Sequence, residues 1–586
     1  MSETWSSRIV KSIIGWVLLA LLAAGCATAQ RPPDAASNTV PGNGGSQTAT
    51  GPKRITLGIA RDLPALRSQL ARVAANSLPG AREVEQLVHA GLGIADPRGD
   101  THPQLATTVP TLENGLWKLF PDGRMELTWQ INPRAGWQDG TPFTAQDVVF
   151  TATVAQDPEL PQFRSLAFDA LESIQAIDVG TVKLTWRSPY IYADYLFSGY
   201  EDLPLLPLPR HLLENSYLNN KAGFADLSYW TDDFVGAGPY RLGAWERGSQ
   251  LVLVASDHYV TGRPKIDEIV VKIISDANTI LLNIVANVVE MPLQGRFSVT
   301  EIVQVRDQWR DGHVEIIPAN SVNLFPQLRT PNPAVIGDVR FRRALLHALD
   351  RDQIAAALSL GLSTAAHTTI VAGTPEYDAV QQSVVRYEYD PRRASEVIRE
   401  FGYTTGADGA FRDASGERLS IQVRSDAVDT LSSAALTTVD QWQRVGIGAE
   451  AFVVPTQQQA DNATRSMFPG FDTTRSAGGL RGFQSFHSSQ VRTPENRFTG
   501  SNFPGYANPQ YDALLERYLT AIPKEERMRV AGEIVHHITD QLLAMPLYYS
   551  VTSTMISNRL KNVPAYVPND AAVTWNAASW DVQPAS

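Results

Sequence analysis

The sequence predicts mixed α/β lobes, with α+β arrangements included, and two observations lead to this fold class. Helical and strand patterns alternate along the whole chain, which favours interleaved helices and sheets over a sandwich or a solenoid. The chain has 586 residues, well beyond the roughly 250–300 residues that a single hydrophobic core can hold. Since 43% of the residues are hydrophobic and only 19% are charged, the chain can bury the cores of two or more lobes.

The N-terminus is predicted to be a secretory signal. Arg8 and Lys11 precede an apolar run from Ser12 to Ala24, which is the order of charge and apolarity found in signal peptides. The run is shorter than the roughly 20 apolar residues that a membrane-spanning helix needs. We therefore expect residues 1–25 to be removed and the remainder of the chain to be exported.

The segment after the signal is predicted to be a lipid-anchored tether. The end of the signal, together with the single cysteine Cys26, resembles a bacterial lipobox, which makes Cys26 the predicted lipidation site. The competing interpretation is a chance cysteine after an ordinary signal. Residues 26–53 are rich in Pro, Gly, Ser, Asn and Thr, a composition typical of a flexible spacer. The expected location is the bacterial cell envelope, where the lipid holds the body at the membrane.

The body of the protein begins with readable strands, turns and caps. Ile55 to Ala60 is the first predicted strand, and Gly123 to Pro133 alternates apolar and polar residues as a half-buried strand does. Asp139-Gly140 is typical of a tight turn. Thr144, with an aspartate three residues later, resembles a capping box at the start of a helix.

Composition and motifs exclude several classes of function. A net charge of -11 disfavours a nucleic-acid partner, which needs a basic surface. The single cysteine argues against a disulfide scaffold and against cysteine-based zinc sites. The sequence contains no HExxH, GxSxG, phosphate-binding or dinucleotide-binding motif. We therefore expect neither an enzyme, nor a cofactor, nor a bound metal.

One long segment carries a resemblance to a known family. Leu127 to Thr151 is similar to the signature of the family 5 extracellular solute-binding proteins, the oligopeptide, dipeptide and nickel receptors of ABC importers. Further family-like segments follow in the expected order along the chain. They are Val235–Asn278, Ile336–Ile354, Tyr389–Tyr403, Gly505–Leu515 and Leu542–Ser550.

This resemblance implies the class II periplasmic-binding-protein fold of the large peptide-binding type, in which two lobes enclose a ligand. It implies a discontinuous lobe I (54–85, 235–300 and 545–586), an extra subdomain at 86–234 and a lobe II at 301–544. It also implies a monomer that captures peptides or a related solute and delivers them to an ABC permease and its ATPase. The alternative is a receptor of the same fold that signals to a membrane sensor.

The resemblance also indicates where a ligand binds. Peptide-binding members place an acidic residue, which pairs with the ammonium of the ligand, on a loop that corresponds to Phe471 to Ser489. The matching positions 479–482 hold no carboxylate in this chain, and a buried ammonium without an anion is costly. Arg475 and Arg481 instead suggest a non-peptide anion gripped by guanidinium groups. The predicted ligand contacts are Arg329, Arg475, Ser476, Gly479, Leu480, Arg481 and Phe483.

Competing interpretations accompany these contacts. The arginines at 329, 475 and 481 are also explained as solvated or salt-bridged surface residues. Phe483 either walls the cleft or packs in the core. Trp137, which falls inside the shared signature, is interpreted as a packing residue of the fold, and the adjacent His536 and His537 are interpreted as structural, because neighbouring helical residues face different directions.

Overall fold

Three main β-sheets organise the described part of the chain. The computed structural model describes residues 51–73, 76–198, 205–293, 297–459, 461–476, 479–565 and 572–583. The predicted signal peptide, Cys26 and most of the predicted tether lie outside these residues. Within them, two sheets have five strands, one has four, and the remaining strands form two-stranded ribbons.

Strands and helices interleave from the start of the body to its end. The strands are β1 Arg54–Ile59, β2 Arg72–Val73, β3 Asn76–Ser77, β4 Gly93–Ala95, β5 Thr101–Pro103, β6 Trp117–Leu119, β7 Met125–Gln130, β8 Leu171–Ala176, β9 Thr181–Trp186, β10 Tyr240–Glu246, β11 Gln250–Ala255, β12 Glu268–Ile273, β13 Met291–Pro292, β14 Gly312–Pro326, β15 Thr404–Thr405, β16 Phe411–Arg412, β17 Ser420–Asp426, β18 Gly448–Val454, β19 Phe471–Ser476, β20 Met545–Ser557, β21 Leu560–Lys561 and β22 Asp581–Val582. The α-helices are α1 Ala81–Val88, α2 Ala145–Gln156, α3 Arg210–Asn219, α4 Ala277–Val285, α5 Val299–Gln308, α6 Val339–His347, α7 Arg351–Leu358, α8 Pro375–Val380, α9 Pro391–Glu400, α10 Asp429–Arg444, α11 Asn462–Ser466, α12 Pro509–Thr520 and α13 Lys524–Gln541.

The first sheet has the strand order β10-β11-β12-β1-β13. β1 lies parallel to β12 and β13, while β10, β11 and β12 form an antiparallel meander. Ile55, Leu57 and Ile59 of β1 are buried, as expected of an inner strand, and the predicted first strand is confirmed. All five strands fall within the ranges predicted for lobe I.

The four-stranded sheet has the order β6-β7-β9-β8, is antiparallel and lies within the predicted extra subdomain. Met125, Leu127 and Trp129 of β7 are buried, which confirms the predicted alternating strand. The backbone N–H and the hydroxyl of Thr144 donate to the Asp147 carboxylate at 2.8 and 3.0 Å. Helix α2 therefore begins at the predicted capping box.

The third sheet has the order β18-β17-β19-β14-β20. β17 lies parallel to β18 and β19, and β14 is antiparallel to β19 and β20. Residues such as Val423, Trp442 and Leu547 form a core between this sheet and its helices. β20, which the sequence assigns to lobe I, lies along β14 for its whole length and so belongs to this sheet as well. The lobe boundaries themselves stay predictions.

β14 and β20 connect the third sheet to the first. At one end of the pair, Leu324 pairs with Met545 inside the core of the third sheet. At the other end, Met555 packs in a separate core with helices α4 and α5. Beside it, the Ser557 backbone N–H donates to the carbonyl oxygen of Glu290, immediately before β13. One pair of strands therefore enters both halves of the molecule.

The pairing of β14 with β20 is interrupted near its middle. The register shifts between Pro318 and Ser321, where a bulge bends and twists the pair. The Ser550 hydroxyl bridges the irregular stretch, because it accepts the Asn320 N–H at 3.2 Å and donates to the Asn320 carbonyl at 3.0 Å. This point is the structural candidate for a hinge.

The buried ion pair of Arg424 and Asp472 predicts a measurable dependence of stability on one carboxylate. The Arg424 Nε lies 2.9 Å from the Asp472 Oδ1, and these side chains are only 5% and 6% exposed. Asp472→Ala should lower the free energy of unfolding by about 3–5 kcal/mol, because it leaves a buried guanidinium without its anion. Urea unfolding followed by tryptophan fluorescence measures this loss.

The matched control is Asp440→Ala, which removes the exposed i,i+4 partner of Arg444. Exposed pairs contribute at most about 1 kcal/mol, so this variant should unfold close to the wild-type urea midpoint. Similar losses in the two variants would contradict the importance of the buried pair.

Candidate ligand-binding cleft

Two groups of residues mark the candidate cleft: a polar cluster at the strand crossing, and the segment after β19, whose Arg481 contacts Tyr192 and Tyr195. The polar cluster consists of Ser321, Asn323 and Ser476. The hydroxyl oxygens of Ser321 and Ser476 are 2.8 Å apart, and the Asn323 Nδ2 donates to the Ser476 hydroxyl at 3.1 Å. The Asn323 Oδ1 is buried and has no hydrogen-bond partner. The cluster therefore contains an acceptor that suits a water or a ligand N–H group.

The register of β14 explains why Ser476 belongs to this cluster. Ser321 pairs with Ser476 on one side and with Tyr549 on the other, so the three side chains share one face of the sheet. The Tyr549 hydroxyl donates to the Ile370 carbonyl oxygen at 2.9 Å. The segment that follows helix α7 is thus held against the same face.

Arg475 lies on the opposite face of β19 from Ser476, since successive strand residues alternate. It pairs with Val322, and its Nη2 donates to the Thr430 hydroxyl at 2.6 Å, near the start of α10. The contact lies within lobe II and is exposed to solvent. Ligand contact by Arg475 stays a prediction, and the structure does not bring this guanidinium into the polar cluster.

The loop after β19 folds into a short 3-10 helix, Leu480–Phe486, which carries the remaining predicted contacts of this region. Gly479 precedes it with φ +91°, a conformation that favours glycine. Leu480 and Phe483 are buried, and the Phe483 ring lies 5.5 Å from the Tyr518 ring. The structure therefore packs Phe483 into the core, which was one of its two interpretations.

The Arg481 side chain extends toward two tyrosines of a distant segment. Its guanidinium carbon lies 4.9 Å from the ring centre of Tyr192 and 5.7 Å from that of Tyr195. Both tyrosines lie far away in sequence, within residues 86–234 that are predicted to form the extra subdomain. Two arginines that the sequence grouped together therefore have different surroundings: Arg475 bonds within lobe II, and Arg481 crosses to the subdomain.

An acidic residue lies beside this crossing point. The Asp194 carboxylate accepts a hydrogen bond from the Thr101 hydroxyl at 3.1 Å. Burial raises the pKa of Asp194 to about 6, although the Thr101 hydrogen bond and the positive charges of Arg527 and Arg481 act to lower it. The effect of burial is thus larger than that of the cations, and Asp194 titrates in a range where most aspartates are fully ionised.

Arg329 occupies a position within lobe II that is fixed by backbone atoms. Its Nη1 donates to the carbonyl oxygen of Arg492 at 2.7 Å, and its backbone N–H donates to the Gln327 side-chain oxygen at 3.0 Å. These bonds brace the loop that contains Arg492. Ligand contact by Arg329 stays a prediction.

The predicted contacts did not include four residues of the candidate cleft: Tyr192, Tyr195, Ser321 and Asn323. The run from Ser188 to Phe197 holds three tyrosines, a density that can signal a binding or docking surface. Ser321 and Asn323 alternate on one strand face but carry no recognisable motif.

A second concave region is lined only by residues of lobe II. It encloses about 320 Å³, and its lining includes Asp413, Glu417, Arg418 and Glu450. The Asp413 carboxylate already accepts hydrogen bonds from Ser415 and from the Glu417 backbone. Within the described ranges, no three His, Cys, Asp or Glu side chains are grouped as a metal site requires.

The arrangement defines a class of protein. Two lobes joined by one pair of interrupted strands, with a loop of one lobe touching the subdomain of the other, are the architecture of a two-lobed solute-binding protein. Residues 102–487 match the bacterial extracellular solute-binding proteins, family 5 (Middle), and the chain belongs to this family.

Relatives and solved structures agree with this assignment. Oligopeptide-binding protein AppA of Bacillus subtilis is 21% identical over 504 residues, which are 85% of this chain and 87% of that protein. The periplasmic oligopeptide-binding protein of an oligopeptide ABC transporter from Thermotoga maritima has a TM-score of 0.72 at 19% identity, over 91% of this chain and 99% of that one. NikA from Brucella suis, solved with Fe(III)-EDTA, has a TM-score of 0.70 at 17% identity, over 90% and 100%. These likenesses establish the two-lobed fold.

The comparisons also bear on location. Members of this family are extracellular solute-binding proteins by name. From residue 51 onward, none of the described helices is both long enough and apolar enough to cross a membrane.

The raised pKa of Asp194 predicts a pH-dependent effect of one substitution. Between about pH 4 and pH 6 the folded protein keeps a proton that the unfolded chain releases, so this group makes stability fall as the pH rises through that window. Asp194→Asn removes the group. The melting temperature of the variant should equal that of the wild type near pH 4 and exceed it near pH 7.

Thermal unfolding by circular dichroism at both pH values measures this difference, with Asp440→Asn in an exposed pair as the control. A variant that melts below the wild type near pH 7 would show that attraction to Arg481 and Arg527 outweighs the cost of burial at Asp194.

Proposed function

We propose that the chain is a lipid-anchored, extracytoplasmic substrate-binding protein of an ABC importer. It captures a peptide or a related solute between its two lobes and passes it to a permease and its ATPase. The observation that carries this proposal is the interrupted pair of β14 and β20, because a bent two-strand connection lets two lobes rotate about one point. Catalysis has no part in this function.

Ligand binding is proposed to act by shifting the protein toward its closed form. A solute that contacts both lobes shifts the protein toward the closed form by its greater affinity for that form. The polar cluster of Ser321, Asn323 and Ser476 lies at the crossing, where both lobes begin. Its buried Asn323 Oδ1 suits a ligand or water that donates an N–H or O–H group.

Peptides are the first proposed substrate class, and a non-peptide anion is the second. Oligopeptide-binding proteins are among the relatives, which supports peptides. The anionic alternative is favoured by the lack of a carboxylate at positions 479–482 of the sequence, where Arg481 stands instead. NikA was solved with the chelate Fe(III)-EDTA, so this fold also accommodates ligands other than peptides.

A thermal-shift screen separates the two substrate classes. We use the full-length chain with Cys26→Ser and add mixed-sequence peptides, N-acetylated peptides, sugars, phosphonates and metal chelates. A ligand at about 100 times its dissociation constant adds roughly 2.7 kcal/mol of stability, which raises the melting temperature by several degrees. We expect free peptides to stabilise the protein.

The outcome for each class is distinct. Stabilisation by free but not by acetylated peptides means that an acid elsewhere pairs with the ligand ammonium. Stabilisation only by an anion, and its loss in Arg475→Ala, means that the substrate is a non-peptide. A protein that none of these solutes stabilises would contradict the proposed substrate classes.

Lipid attachment at Cys26 predicts a change in partitioning. In a bacterial host supplied with an alkyne-labelled fatty acid, the wild-type chain should carry the label and sediment with membranes. Cys26→Ser should lose the label and move to the soluble fraction, because the acyl chains on Cys26 are the proposed source of membrane affinity. Unchanged sedimentation of Cys26→Ser without label would point to attachment by another route.

A further inference from the structure

Arg481 is placed against aromatic rings of the opposite half of the molecule. Its guanidinium carbon is within 6 Å of two ring centres, at 4.9 Å from Tyr192 and 5.7 Å from Tyr195. Tyr192 is only 8% exposed, so the cation faces a surface that is largely withdrawn from water. Cation–π attraction is stronger in such places than at an exposed surface.

Charged side chains of opposite sign lie on the two sides of the junction near Arg481. Lys524 Nζ lies 3.6 Å from the Asp100 Oδ1, and the charges of Arg527 and Arg481 act on the Asp194 carboxylate. The three cations come from lobe II, and the two carboxylates come from the extra subdomain. Opposite charges on facing surfaces favour one docking arrangement over others.

Aromatic packing supports the same junction. The Tyr518 hydroxyl, from α12 of lobe II, interacts with Tyr192 of the subdomain. On the lobe II side, the Phe483 ring packs edge-on against Tyr518 at 5.5 Å. Aromatic side chains from both sides therefore meet at the junction where Arg481 faces Tyr192 and Tyr195.

This contact lies away from the hinge. Along the chain, residues 327 to 544 follow the end of β14 and precede the start of β20. We expect that rotation about the irregular stretch of that pair separates Arg481 from Tyr192, so that the contact belongs to the closed form of the proposed cycle.

We propose that Arg481 is a closure clasp, a positioning residue that stabilises the closed form by stacking on Tyr192 and Tyr195 and does not itself grip the ligand. The proposal rests on the proposed function, in which the two lobes open and close. Arg481 then affects ligand affinity without touching the ligand, because it changes the equilibrium between the open and closed forms.

The test measures the lobe separation directly. Cys26 is the only cysteine, so the full-length chain with Cys26→Ser accepts two spin labels at chosen sites without interference. Glu172→Cys places one label on the extra subdomain, and Glu396→Cys places the other on lobe II. Both positions are exposed. Pulsed electron paramagnetic resonance then gives the populations of short and long distances, with and without added mixed-sequence peptides.

Arg481→Ala should lower the ratio of closed to open protein about 5- to 30-fold without ligand, the range expected of a desolvated cation–π contact. Tyr195→Leu, which removes a ring that faces Arg481, should act in the same direction. Tyr195→Phe keeps the ring and removes only the hydroxyl that donates to the Gly99 carbonyl oxygen, so it should leave the ratio within about twofold of the wild type. This pair of variants keeps the test meaningful if Arg481→Ala folds poorly.

The matched control is Arg444→Ala. This exposed arginine of α10 forms an ion pair with Asp440, four residues earlier on the same helix, so its loss should leave the ratio of closed to open protein within about twofold of the wild type. An unchanged ratio in Arg481→Ala, or an equal change in Arg444→Ala, overturns the clasp. If ligand closes the wild type but Arg481→Ala behaves identically, only the clasp fails. If no ligand changes the distance in any variant, closure itself fails.

Discussion

The antiparallel pairing of β14 with β20 is the constraint on which the rest of the structure depends. Its ends lie in different hydrophobic cores, with Met545 in one and Met555 in the other. The stretch between these two cores is the part of the pair where the register is irregular. That stretch contains Pro318, which lacks a backbone donor, and the hydroxyl of Ser550 supplies hydrogen bonds to Asn320 where the ladder is irregular. Water can replace the hydrogen bonds of a hydroxyl group, so bending at this stretch costs less free energy than breaking the regular ladder elsewhere.

The pairing of β14 with β19 determines which side chains face the candidate cleft. Ser476 pairs with Ser321 and lies on the same face of the sheet, and its neighbour Arg475 lies on the opposite face. Two adjacent residues that look equivalent in sequence therefore have different environments. Ser476 shares a buried polar cluster at the strand crossing, whereas Arg475 reaches solvent and Thr430. The alternation of a strand thus decides which of the predicted contacts a ligand at the crossing can meet.

Much of the fold was predictable because its signals are local. The alternation of Met125, Leu127 and Trp129 fixes a strand, and Thr144 with Asp147 fixes a helix start, since these side chains lie within one turn of each other. The site was less predictable because its contacts join distant segments. No pattern near Arg481 in the sequence points to Tyr192, and the contact of Asn323 with Ser476 requires β14 and β19 to be paired. Local patterns therefore locate elements, and only the assembled sheets locate the cleft.

The electrostatics beside Arg481 limit what this part of the cleft can bind. Burial raises the pKa of Asp194 even though two guanidinium groups act on it, so this place does not stabilise a negative charge as well as water does. An anionic ligand group set at the same depth would meet the same desolvation cost. Arg481 and Arg527 offset that cost only in part, because the pKa of Asp194 stays raised although both charges act to lower it. A ligand is thus better accommodated here by neutral, hydrogen-bonding groups, and any charge that it carries is better placed where solvent remains, as it does near Arg475.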